Sequence, residues 1–199
     1  MQIGGVSRAR CVEFEEFLVL EELNALMQYT LSRESGFRAS GVHDPESTQQ
    51  AHRRSLVSME TGPFHELVSK RIQFYFRFVL SGLNHPYFEI SRVESQLTAS
   101  NDGDYFRLHN DNTHANWPTR EITYVYFFHW LPRPFTGGEL LLYDSELPSG
   151  TAAPRKRIDP ECNTMVLFPS SCLHEILTVR CPSRRFADSR FTLNGWLHR

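Results

Sequence analysis

The chain has 199 residues, 40% of them hydrophobic, and a formal net charge of −2, enough for one domain that buries roughly 70% of its unfolded surface. That balance argues against a disordered chain and against the basic field of a nucleic-acid binder. No apolar run approaches the roughly 20 residues of a membrane span, Met1–Arg10 lacks a signal peptide's apolar core, and four scattered cysteines (Cys11, Cys162, Cys172, Cys181) fit reduced thiols in a cytoplasm.

Along the chain, residues 12–33 open on an apolar stretch, after which Leu20, Leu23, Ala25, Leu26 and Met27 indicate an amphipathic helix. Residues 36–54 are polar, with Gly41 and Pro45, and read as a lid or binding loop. Pro63 suits a first helical position, and Phe64, Leu67, Val68, Ile72, Tyr75, Phe76 and Val79 follow at helical spacing. Both helices are expected to cover the outer face of a major sheet.

The second half turns to strands. If residues 105–111 are extended, Tyr105, Arg107, His109 and Asp111 share one face, while Phe106 and Leu108 point the other way. Residues 163–179 read as a strand, a Pro-Ser turn and a second strand with His174 near its start. Residues 190–198 alternate again, with Arg190, Thr192, Asn194 and Trp196 on one face and Phe191, Leu193 and Leu197 on the other. Two histidines and one carboxylate can occupy one face of a ferrous ion and leave positions open for a co-substrate and dioxygen. Arg190 offers a planar fork for a carboxylate, and Thr192 can add a hydroxyl. Arg184 competes for that role, but the residues after it carry no strand pattern. His129 and His198 read as ordinary polar residues, as does His114 unless it reaches substrate; Trp117 and Trp130 read as packing.

Five ordered blocks then carry a family resemblance: Gly103–Asp111, Arg120–Phe128, Thr136–Asp144, Phe168–Ser170 with His174-Glu175, and Arg190–Trp196. Over residues 95–198 the chain resembles the Fe(II)/2-oxoglutarate-dependent oxygenases, and within them the prolyl 4-hydroxylase-like group. The resemblance implies a mainly β fold with flanking helices, a double-stranded β-helix or jelly roll with the metal near one open end. The whole of 1–199 is expected to be one such dioxygenase domain, with 1–94 as helical support and lid and 95–199 as the core. It implies His109, Asp111 and His174 as iron ligands, and Arg190 as partner of the distal 2-oxoglutarate carboxylate, with Thr192 and Tyr105 beside it. Trp196, Arg107 and Asn194 are expected around the substrate. Phe127 stands where a co-substrate-binding tyrosine is common, so a hydroxyl there must come from Tyr105 or Tyr126.

The expected cofactors are Fe(2+), 2-oxoglutarate and O2, with ascorbate as a further candidate. The expected reaction is hydroxylation of a prolyl or other amino-acid residue, free or in a peptide, with succinate and carbon dioxide as co-products. Tailoring of a small natural product is the second reading, and a non-catalytic jelly-roll module the third. Asp111 argues against a halogenase, which needs a halide in place of the carboxylate. Trp196, standing where related dealkylases carry a second arginine, argues against nucleic-acid repair.

Overall fold

The computed structural model describes residues 10–40, 52–112, 119–143 and 154–199. In chain order its elements are β1 (Val12–Phe14), α1 (Leu20–Ser32), β2 (Arg38–Ala39), β3 (Arg53–Arg54), β4 (Leu56–Ser58), α2 (Phe64–Leu83), β5 (Arg92–Ser100), β6 (Tyr105–His109), β7 (Arg120–Phe128), β8 (Thr136–Gly137), β9 (Leu140–Leu142), β10 (Lys156–Ile158), β11 (Thr164–Pro169), β12 (His174–Ile176), β13 (Val179–Arg180) and β14 (Arg190–His198).

Among the described residues a major sheet runs β1-β11-β7-β14-β5-β4-β2, a minor sheet runs β10-β9-β12-β6-β3, and β13 pairs with β8. The chain passes back and forth between the two larger sheets: β5, β7, β11 and β14 belong to one, β6, β9 and β12 to the other. That winding is the double-stranded β-helix. Neighbouring strands are antiparallel throughout, with β14 paired to β5 along its whole length and to β7 from Phe191 onward.

The period of two sorts each major-sheet strand into an outer and an inner face. Outward, Leu97, Ile122, Tyr124, Tyr126, Phe128, Met165, Leu167, Phe191, Leu193 and Leu197 join Leu26 and Met27 of α1 and Phe64, Val68, Ile72, Phe76 and Val79 of α2 in one core. This is the cover over the major sheet that the helical periodicity predicts. Arg71 of α2 clasps Glu22 of α1 through two hydrogen bonds of 2.8 and 2.9 Å, and Glu22 also accepts the Val19 N–H at the head of α1. Pro63 is the N-cap rather than the first helical residue, and Asn84, left-handed at φ 51°, closes α2. Tyr75, expected among the buried positions, is 39% exposed and leans on the Phe14 ring.

Inward, Val125, Phe127, Val166 and Phe168 meet Leu140, Leu142, Ile158 and Cys172 to form a second apolar cluster between the sheets. The inner positions of β5 and β14 are polar instead, and that contrast leaves a cavity on their side.

The described part of the first ninety-odd residues is less helical than expected, since β1, β2 and β4 add strands to the major sheet and β3 adds one to the minor sheet. Most of the expected lid, residues 41–51, lies outside the described residues, as do His114 and Trp117. Its described ends are strands: β2 pairs with β4 in the major sheet and β3 with β6 in the minor one.

Candidate metal centre and its cavity

His109 ends β6 and His174 begins β12, and the two residues are direct cross-strand partners. Asp111 lies two residues past the end of β6, where its backbone N–H donates to the Ser170 carbonyl at 2.9 Å. One ligand atom from each of the three falls within 4.8 Å of the others, a grouping that could hold a metal ion. The Asp111 oxygens lie 3.7 Å from His109 Nε2 and 3.5 Å from His174 Nε2. Both separations are too long for good hydrogen bonds, so the three groups converge without satisfying one another.

The surroundings prepare each group to donate electrons. His109 Nδ1 faces the Arg107 carbonyl at 2.7 Å and His174 Nδ1 faces the Cys172 carbonyl at 3.0 Å. A carbonyl can only accept, so each Nδ1 carries a hydrogen, and in the neutral ring this tautomer leaves the Nε2 lone pair for a metal. Thr123 donates to Asp111 Oδ2 at 2.7 Å and is itself 3.0 Å from the Ser170 hydroxyl. Burial, then the neighbouring His174, holds the His109 imidazole well below its ordinary range. Burial pushes the Asp111 carboxyl up, but His174, His109, Thr123 and the Trp196 indole together hold it below the usual carboxylate value. The Trp196 Nε1 hydrogen faces this carboxylate without reaching hydrogen-bond geometry to any group. Two neutral imidazoles and one carboxylate are the ionisation states a ferrous ion needs.

The cavity above this centre encloses about 580 Å³ of empty space, its open mouth included. Arg190 is 2% exposed, and its Nε and Nη2 are buried with no hydrogen-bond partner among the described residues. Its guanidinium lies 4.8 Å from the centroid of the Phe127 ring. Burial pushes the Arg190 pKa down to about 9 against the opposing charge of Glu139. A buried cation with orphaned donors on a cavity wall calls for an anion to complete it, and a carboxylate of 2-oxoglutarate fits. Phe127 thus meets the arginine with its ring face where a hydroxyl is common.

Of the other residues expected here, Tyr105, Thr192, Asn194 and Trp196 line the cavity. The Thr192 and Thr98 hydroxyls both donate to Asn194 Oδ1, at 3.0 and 2.9 Å. Tyr126 drops out: it belongs to the outer core, and its hydroxyl donates to Asn163 Oδ1 at 2.7 Å. Arg184 drops out as well, being exposed and paired with Asp102 at 3.1 Å. Arg107 is exposed and lies outside the cavity lining, over the Tyr105 ring. Phe106 is the reverse case. It lines the cavity and stacks on the His109 ring at 3.5 Å. The register slips by one residue between the His174–His109 and Ile176–Phe106 pairs, and this bulge breaks the alternation that turned Phe106 away. Trp130, expected to pack, is 37% exposed.

Reading by residue type missed three contributors. Thr123 was legible as an inward position of β7, but nothing in the pattern said that its hydroxyl reaches Asp111. Gln96, on the strand beside Asn194, and Arg53, inside the expected lid, also line the cavity.

This architecture recurs among known proteins. A prolyl-4-hydroxylase from Pseudomonas putida superposes with a TM-score of 0.67 at 17% identity, covering 96% of this chain and 93% of that one. A prolyl hydroxylase from Trichoplax adhaerens, solved with a hypoxia inducible factor peptide, gives 0.68 at 17% identity over 94% and 83%. In sequence, an uncharacterized PKHD-type hydroxylase from Synechocystis sp. is 37% identical over 190 residues, 94% of this chain, which spans 62% of that relative's length. The family model of the 2OG-Fe(II) oxygenase superfamily, whose members use Fe(2+), 2-oxoglutarate and O2, matches residues 95–198. With that match falling on the strands that carry the His-Asp-His centre and Arg190, the chain belongs to the 2OG-Fe(II) oxygenase superfamily.

Proposed function

We propose that residues 1–199 work as one dioxygenase domain that hydroxylates an unactivated C–H bond, on a prolyl or other amino-acid residue, free or within a peptide. The observation that carries this reading is the pairing, in one cavity, of three converging ligand groups with a buried arginine whose Nε and Nη2 have no hydrogen-bond partner among the described residues. His109, Asp111 and His174 would hold the iron, and Arg190 the distal carboxylate of 2-oxoglutarate. With dioxygen as the oxidant, the two would supply an oxidative decarboxylation in which one oxygen atom goes into succinate, carbon dioxide leaves, and the other oxygen atom is inserted into a nearby C–H.

The chain's own work is to hold and to shield. The Arg107 and Cys172 carbonyls fix the imidazole tautomers, and Thr123 fixes one carboxylate oxygen. Phe127, Val125, Leu140 and Ile176 keep the cavity dry on one side. No side chain is needed as nucleophile or general base. The Trichoplax neighbour's bound peptide supports a peptide substrate, whereas the polar β5–β14 wall gives a small-molecule oxygenase some weight. None of the four cysteines is in a disulfide, which suits a reducing compartment, in keeping with a cytoplasmic location.

A turnover screen over peptides, amino acids and metabolites, reading succinate together with a mass gain of one oxygen, tests the reading. His174→Ala should abolish iron-dependent 2-oxoglutarate turnover while leaving the circular dichroism of the fold intact. Near wild-type turnover in that variant would overturn the ligand assignment.

A further inference from the structure

Arg53 is a second guanidinium in the same cavity, and the metal centre and Arg190 leave it without a role. It sits on β3, the two-residue strand at the edge of the minor sheet, opposite Phe106. Its Nε donates to the Ser55 hydroxyl at 3.0 Å, its Nη2 reaches the Thr98 hydroxyl at 3.4 Å, and its guanidinium lies 4.8 Å from the centroid of the Phe106 ring. Phe106 in turn stacks on His109, so the cation stands one aromatic ring away from a candidate metal ligand. Among the described residues it has no carboxylate partner within ion-pair distance; the acidic group that acts on it is Asp111.

An unpartnered donor lies on the adjoining wall. Gln96 is 7% exposed, lines the cavity, and has a buried amide Nε2 with no partner. It is two residues from Thr98 on β5, about 7 Å along the strand and on the same inward face. Among the described residues, Arg53 Nη1 and Gln96 Nε2 thus have no hydrogen-bond partner, and they lie in the lining of the same cavity on strands other than the one that carries Arg190. A sheltered cation with only hydroxyl partners is costly unless an anion completes it. The guanidinium fork matches a carboxylate in two parallel hydrogen bonds, with the Gln96 amide placed to add another.

We infer that Arg53, with Gln96, is the specificity-determining anchor for a carboxylate on the substrate, so that the preferred substrates are acids: N-acyl acids or the free C-terminal carboxylate of a peptide. This rests on the hydroxylase reading above and narrows it. The backbone around an internal residue of a polypeptide brings only neutral amides to Arg53, whereas a terminal carboxylate neutralises it. A free amino group beside the carboxylate would meet a cation, which disfavours zwitterions.

The test uses matched pairs: N-acetyl amino acids and short peptides ending in proline, each as the free acid and as the carboxamide. Wild-type enzyme should oxygenate the acid member with kcat/KM about tenfold or more above its amide, the effect expected of a charge-assisted hydrogen bond. Line broadening in the NMR spectra of the same pairs, with the manganese-loaded, N-oxalylglycine-bound protein, should show the same preference without turnover. Arg53→Gln should bring the acid-to-amide ratio close to one, and Arg53→Lys should restore part of it. Equal use of acid and amide by the wild type overturns the inference without needing any variant to fold. It is equally overturned if Arg53→Gln raises the 2-oxoglutarate KM and leaves the ratio unchanged, which would place Arg53 on the co-substrate. If no acid is oxygenated while the wild type still converts 2-oxoglutarate to succinate, the acid class is wrong and the oxygenase reading stands. If succinate formation is absent too, the oxygenase reading itself fails.

Discussion

Arg190 and Arg184 lie six residues apart, and their surroundings decide which of them can serve a co-substrate. Arg184 is in solvent and already paired with Asp102, while Arg190 is buried with two orphaned nitrogens. Removing one partner of a buried charge pair costs on the order of 2–5 kcal/mol. Arg190→Ala should therefore weaken 2-oxoglutarate binding by roughly thirtyfold to several thousandfold, and Arg184→Ala should hardly change it; titration of 2-oxoglutarate into the manganese form measures both. A larger defect in the Arg184 variant would mean that the carboxylate lies elsewhere. Thr123 acts more gently, because its hydroxyl orients one oxygen of Asp111 without being a ligand group itself. Outer hydrogen bonds of this kind are typically worth about 10- to 100-fold in metal affinity. Thr123→Val should show that loss in a competitive metal titration, with Thr123→Ser recovering most of it.

At the scale of elements, alternation was the legible signal and its interruptions were not. β14 has the residues and faces that its sequence predicts, because a strand paired on both sides cannot slip without turning Phe191, Leu193 and Leu197 into the cavity. β6 was read only in part, since its bulge against β12 rests on pairing with a strand some seventy residues away. β3 escaped notice because two residues carry no period, so Arg53 was hidden inside a polar stretch. The Glu94 cluster is a further cross-strand feature that no single segment reveals. Arg120 of β7 donates to Glu94 of β5 at 2.6 Å and stacks over Trp196 of β14 at 3.4 Å, with His198 Nε2 3.5 Å from the same carboxylate. Burial pushes the Glu94 carboxyl up, but Arg120, His198 and Arg92 outweigh it and leave the pKa below 4.5. Its contribution is therefore present above pH 4.5 and lost as pH falls through the folded value. Burial likewise lowers His198 below 6.5, against the raising effect of Glu94, so stability also declines as pH falls from 6.5 toward that lowered value. Glu94→Gln should remove part of the loss below pH 4.5 and steepen the loss just below pH 6.5, read from urea midpoints across that range. A parallel, uniformly shifted profile would show that the carboxylate is not linked to His198.

For the whole molecule, the candidate centre is where the two sheets are fastened together. His109 and His174 belong to the minor sheet, while Asp111 is tied by its backbone to Ser170, just past β11, and by its side chain to Thr123 of β7, both in the major sheet. An ion shared by the three would therefore brace one layer against the other, and its binding energy would appear as resistance to unfolding. At a free metal concentration of 100 times Kd the gain is about 2.7 kcal/mol. For a chain of this length each kcal/mol moves Tm by roughly 2–4 °C, so the expected rise is about 5–11 °C. Manganese is the suitable probe, because it fills an iron site without consuming 2-oxoglutarate. Thermal unfolding with manganese, and again after chelation, should show the rise and its reversal. His174→Ala should shrink the shift to a small fraction while keeping a cooperative transition, since its packing against Phe168 is lost but both sheets keep their ladders. A full shift in that variant would place the stabilising ion away from these three residues, and the proposed centre would lose its physical support.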